Sequence, residues 1–178
     1  MSHVVDVIVE DDRWQEALER LAGIAVPAAL AGLEDCEVAV MGCDDARIAE
    51  LNGSFRGKAR PTNVLSWPSE TRRPDVAPLE PELGDIAIAY ETCAREAAEQ
   101  DKSFEAHVIH LLVHATLHLL GHDHGTASDA KRMEAEEVRI LGGLGYADPY
   151  ASDMDAGAGN RAGSGTEAPR SDGQGRIV

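Results

Sequence analysis

The sequence predicts an α+β domain over residues 1–150 of 178: a single mixed β-sheet of about four strands, covered by about five helices. Three observations lead there. Short β-rich runs are interspersed with segments of helical period, the pattern of a sheet layered with helices. Apolar residues make up 43% of the chain, enough to build a core. Residues 151–178 carry six of the seventeen glycines and no apolar period, so a disordered glycine-rich tail is expected there.

Each element has its own warrant. Val4–Val9 (VVDVIV) is almost continuously apolar, as a buried strand would be. Trp14, Leu18, Leu21 and Ala22 recur at helical spacing and predict a helix over residues 12–31. Residues 37–41 (EVAVM) alternate as a strand. Asp44 and Asp45 can cap a short helix ending near Asn52 and Gly53. Residues 62–67 (TNVLSW) read as a strand closed by Pro68, and residues 83–90 (LGDIAIAY) as another after a proline-rich loop. Helices over residues 91–100, 103–120 and 128–141 complete the domain.

Composition excludes several function classes. The longest apolar stretch, residues 23–33, is about half a membrane span and contains Pro27. The opening MSHVVDVIVEDD lacks the basic flank and cleavage site of a secretory signal, so a soluble, cytoplasmic protein with no membrane partner is expected. Cys36, Cys43 and Cys93 form no CxxC pair and fit neither a disulfide framework nor a thiolate zinc site. They read as small buried hydrophobes. Net charge is −16, of which the tail holds −1. An acidic domain repels polyanions, so a nucleic-acid partner would need a local basic feature.

Five of the seven histidines lie between His110 and His124, in HLLVHATLHLLGHDH. His114 and His118 are four apart and project from one face of a helix. Gly121 can supply the left-handed conformation that ends that helix, and His124 then returns from the loop. The pattern HxxxHxxGxxH thus offers zinc three imidazoles and leaves a fourth position for water. His107 and His110 share the same stripe. The glycine spacing selects His114 and His118 as the pair, which leaves His110 to pack or to orient a ligand. Ala115 stands where HExxHxxGxxH proteases carry their glutamate base, which disfavours a standard metalloprotease.

HATLHLLGHDH is similar to the HGxLHLxGYDH signature of the YbeY family, bacterial rRNA-maturation endoribonucleases. LNGSFRGKARPTNVLSWP resembles that family's LNxxYRGKDxPTDVLSFP block, LGDIAIA its LGDI strand, and LGYADPY its closing residues. The resemblance covers about residues 40–150, fits residues 1–40 weakly, and leaves the tail out. Ala115, Phe55, Trp67, His122 and Asn63 depart from the pattern without removing a ligand. His122 adds an imidazole beside the triad, open as a proton carrier or a fourth ligand.

Residues 51–69 contain no aspartate or glutamate, yet hold Arg56, Lys58 and Arg60 with Phe55 and Trp67, and Arg72 and Arg73 follow. Such a strip suits a single-stranded RNA groove, cations for phosphates and aromatic faces for bases. It reads equally as a solvated loop with its aromatics in the core. The resemblance selects Arg56 as a functional arginine. Asp85, between apolar neighbours, either orients a histidine ligand or caps a turn. Glu134, Glu136 and Glu137 read as the wet face of an amphipathic helix, and Asn52 as a helix end.

The resemblance implies a zinc-dependent, single-strand-specific endoribonuclease acting in rRNA processing (16S 3′-end maturation) and ribosome quality control. Its partners would be rRNA, the small ribosomal subunit and its assembly factors. One zinc would sit on His114, His118 and His124, with Arg56 and His114 catalytic. Two rivals stay open: a non-catalytic zinc-binding ribosome-assembly factor, and a zinc hydrolase of a non-RNA substrate.

Overall fold

The computed structural model describes residues 2–57 and 59–151, so Lys58 and all but the first residue of the expected tail lie outside the described residues. Four strands form one mixed sheet: β1 (Val4–Val9), β2 (Glu37–Cys43), β3 (Val64–Pro68) and β4 (Glu82–Ala89). Their spatial order is β1-β2-β4-β3; β1, β2 and β4 run parallel, and β3 pairs antiparallel to β4. Five α-helices accompany them: α1 (Leu18–Ala29), α2 (Asp45–Arg56), α3 (Tyr90–Glu99), α4 (Phe104–Leu119) and α5 (Ala127–Gly143). Among the described residues no helix is long and apolar enough to cross a membrane.

The helix predicted over residues 12–31 divides in two. Asp11 caps a 3-10 turn over Asp12–Trp14, and α1 begins only at Leu18. α2 runs a turn further than predicted, from its cap Asp44 to Arg56, where Gly57 at φ 67° ends it. Asn52 therefore does not end the helix. It is buried, and its Nδ2 donates to the Arg60 carbonyl at 3.0 Å, tying down the loop that follows.

β1 corrects a second expectation. It is an edge strand, and Val4, Ile8 and Val9 are exposed. Only Val5 and Val7 pack on the core. An apolar run alone does not separate an edge strand from a central one. The three cysteines are buried and free, and burial pushes the Cys43 thiol up to about 12.

α4 is the spine. Every residue from His107 to Leu119 is buried, as expected of a helix that is apolar around most of its circumference. It packs on α1, β3, α3 and α5. Ser103 caps its start by accepting from the Ala106 N–H at 3.1 Å. Its end is a Schellman turn, in which the Gly121 N–H donates to the His118 carbonyl and the His122 N–H to that of Leu117. Gly121 sits at φ 101°, and a Cβ there would lie 2.3 Å from the Arg72 carbonyl oxygen. Only glycine meets both demands.

Candidate metal centre

The Schellman turn builds the site. His114 and His118 stand one helical turn apart on α4, and the turn returns His124 against them. Its ring stacks on His114 with centroids 4.8 Å apart and lies 4.7 Å from that of His118. The ligand atoms of the three all lie within 4.8 Å of one another. His122 belongs to no such group among the described residues. What it offers the site is its backbone carbonyl, which accepts from His118 Nδ1 at 2.8 Å.

The hydrogen bonds fix the tautomers. His118 donates its Nδ1 proton to that carbonyl, and His114 donates its own to the carboxylate of Glu137. In the neutral rings each Nε2 is then a bare lone pair, and the two Nε2 atoms face each other at 2.9 Å. Two acceptors cannot hydrogen-bond to one another. A cation between them satisfies both, so the donor set fits a metal ion. Burial, helped by the neighbouring His114 and His124, pushes the His118 pKa down to about 2. The ring is neutral at ordinary pH, as a metal ligand must be.

Glu137 is where sequence reasoning failed. It is fully buried rather than part of a wet helix face. Its Oε1 accepts from His114, while Oε2 accepts from the Tyr150 hydroxyl and lies 3.4 Å from His110 Nε2. Burial opposes its ionisation, but the hydrogen bonds from His110 and His114 outweigh that and hold its pKa well below the usual carboxylate range. The signal existed in the sequence. Met133, Glu137, Ile140 and Leu141 form the buried stripe of α5, at the i, i+4, i+7, i+8 spacing of one helix face. Glu134 is exposed, and Glu136 pairs with Arg139 at 2.8 Å.

Asp85 meets neither expectation. It is exposed on β4, opposite Ala39 and Trp67, and lines an open groove of about 470 Å³ with Ile8, Met41 and Leu51. The Nδ1 atoms of His114 and His118 have other partners, so Asp85 orients neither ring. Within the basic strip, Arg56 closes α2, and its side chain, like that of Phe55, lies outside the described residues. Arg60 and Arg73 are exposed. Arg72 is committed to structure: its guanidinium donates to the carbonyls of Leu83 at 2.9 Å and Leu119 at 3.2 Å, clamping the proline-rich loop to the end of α4. Trp67 packs half-buried beside Met41 and Leu51. His107 stands apart from the triad, 3.2 Å from Glu96.

A family model described as Endoribonuclease YbeY matches residues 4–145. The chain belongs to the YbeY endoribonuclease family. Endoribonuclease YbeY of Cereibacter sphaeroides is 56% identical over 167 residues, covering 84% of this chain and 100% of its own. That of Paracoccus denitrificans is 55% identical over 157 residues, covering 82% and 89%. A Thermotoga maritima protein solved in solution shares the fold with a TM-score of 0.53 at 22% identity, over 90% of this chain and 99% of its own. The YbeY match ends at residue 145, so Tyr150, which reaches Glu137, lies just past it.

Proposed function

We propose that this YbeY protein is a zinc-dependent endoribonuclease that cuts single-stranded RNA during rRNA processing, 16S 3′-end maturation included, and in ribosome quality control. The observation that carries the reading is the pair of bare Nε2 atoms 2.9 Å apart with His124 beside them, in a member of an endoribonuclease family. His114, His118 and His124 hold the ion. Three neutral imidazoles are a ligand set of catalytic zinc sites, which leave the fourth position to water or substrate. Zinc bound there supplies a Lewis acid for the phosphate and lowers the pKa of water toward neutrality.

The chain's own residues do the rest. His114 donates its Nδ1–H to Glu137, which fixes the ring with Nε2 turned toward the site. Arg56, at the end of α2, stabilises the charge that gathers on the phosphate oxygens. Arg60 and Arg73 offer exposed cations to the flanking phosphates, the local exception that an acidic domain needs. Ala115 leaves no carboxylate base beside the first ligand, which counts against peptide hydrolysis. The RNA is delivered with the small ribosomal subunit and its assembly factors, in the cytoplasm.

The test is substrate choice. The zinc-loaded protein should cut a single-stranded ribosomal RNA fragment and spare the same sequence annealed to its complement. Equal cutting of both, or cutting of a casein substrate instead of RNA, would contradict the proposal.

A further inference from the structure

The metal centre extends further than its three histidines. Glu137 is buried at 0% exposure, and a buried carboxylate is costly unless donors and a counter-charge meet it. Donors are present: His114 on one oxygen, the Tyr150 hydroxyl on the other, with His110 at 3.4 Å. A permanent counter-charge is not. Among the described residues its only ion-pair partners are the imidazoles of His110 and His114, and no lysine or arginine pairs with it. A cation held on His114 Nε2 would supply that charge through the ring.

Tyr150 arrives from a separate piece of chain. After α5 the backbone turns back, with the Tyr146 N–H donating to the Leu141 carbonyl at 2.9 Å and the Tyr146 hydroxyl to Glu105 at 3.3 Å. The Tyr150 N–H donates to the Asp148 side chain, and its ring stands edge-on to His110 with centroids 5.7 Å apart. The Tyr150–Glu137 hydrogen bond ties this turn to the buried carboxylate.

We propose that Glu137 is a positioning residue for the metal ligand His114, and that Tyr150 locks it in place. Docking of the turn at residues 145–150 and loading of the metal site are then one coupled event. The inference rests on the reading of His114, His118 and His124 as metal ligands. A metal on His114 Nε2 polarises the opposite N–H and strengthens its bond to Glu137, which fixes the carboxylate as acceptor for Tyr150. Coupling of this kind is reciprocal: what the metal gives the turn, the turn gives the metal.

The full-length protein tests this with zinc as the probe. Glu137→Gln keeps the shape and removes the charge; Tyr150→Phe removes one oxygen, and carries the test even if the first variant folds poorly. Competition with a chromogenic chelator should show zinc affinity falling about 10- to 100-fold in Glu137→Gln, the range for groups that orient a metal-bound histidine. Tyr150→Phe should show a smaller loss, roughly tenfold or less. Zinc should also slow amide exchange across residues 145–150 of the native protein and not of Tyr150→Phe. A purely structural tyrosine would not link the two readouts. Both variants binding zinc within twofold of native, or exchange in the native turn indifferent to zinc, overturns the inference alone. Native protein that takes up no zinc overturns the metal reading and the inference with it.

Discussion

Nε2 of His114 lies 2.9 Å from Nε2 of His118, and each ring donates its Nδ1–H to a partner on the far side: Glu137 for one, the His122 carbonyl for the other. Lone pairs held this close are a demand for a cation. His118→Ala should therefore cost more than about a hundredfold in zinc affinity, beyond what is typical for a residue that only orients a ligand. Ligand binding to the native state raises its melting temperature, so zinc should raise that of the native protein and leave the variant's where it was. An equal zinc-induced rise in both would contradict the assignment.

Gly121 is the hinge that places the third imidazole. Alanine there must adopt φ near 101° and put a Cβ 2.3 Å from the Arg72 carbonyl oxygen. We expect Gly121→Ala to lose about 2 kcal/mol or more in urea denaturation, the sum of backbone strain and the displaced loop. Zinc affinity should fall with it, because the turn also positions the His122 carbonyl and His124. A variant as stable as native would show that the loop is free to move aside.

Acid should destabilise the metal-free protein well above the carboxylate range. His118 is held down to about 2, and His110 and His122 are also lowered, in each case first by burial. A histidine whose folded pKa lies below its unfolded value of about 6.5 leaves the unfolded state binding more protons between the two, so stability falls as pH falls. From His118 alone the loss between pH 7.5 and 5.5 is about 1 kcal/mol. Chemical denaturation of chelator-treated protein across that window checks it, and a flat profile would contradict it.

Arg56 is the sharpest test of the RNA reading. If it stabilises charge on the phosphate, Arg56→Ala should lower kcat on a single-stranded RNA by about a hundredfold or more. Melting temperature and zinc stoichiometry should stay at native values. A loss confined to KM would recast Arg56 as a residue that only binds.

The cluster of His114, His118 and His124 was legible because its geometry is local. The i,i+4 spacing sets two rings on one helix face, and a glycine three residues on supplies the turn that returns the third. The sheet was legible to within a residue or two, since each strand carries its own pattern. What escaped depended on which surfaces meet. Asp85 lies on the sheet face left open near β1, and alternation along β4 does not tell a covered face from a bare one. β1 read as buried because an apolar run does not reveal its place in the sheet. Glu137 was masked by two neighbouring glutamates. Only its phase with Met133, Ile140 and Leu141 separates it from them, and its function emerges only when α5 packs against α4. Tyr150, thirteen residues further on, meets it through a turn with no strong pattern of its own.

One measurement bears on the whole account: cleavage of a single-stranded ribosomal RNA fragment by chelator-stripped protein, with and without added zinc, beside His118→Ala purified in the same way. The account predicts no cutting by the stripped protein, cutting restored by zinc, and none from the variant under either condition. Cutting that ignores zinc, or that the variant performs as well as native, would contradict it.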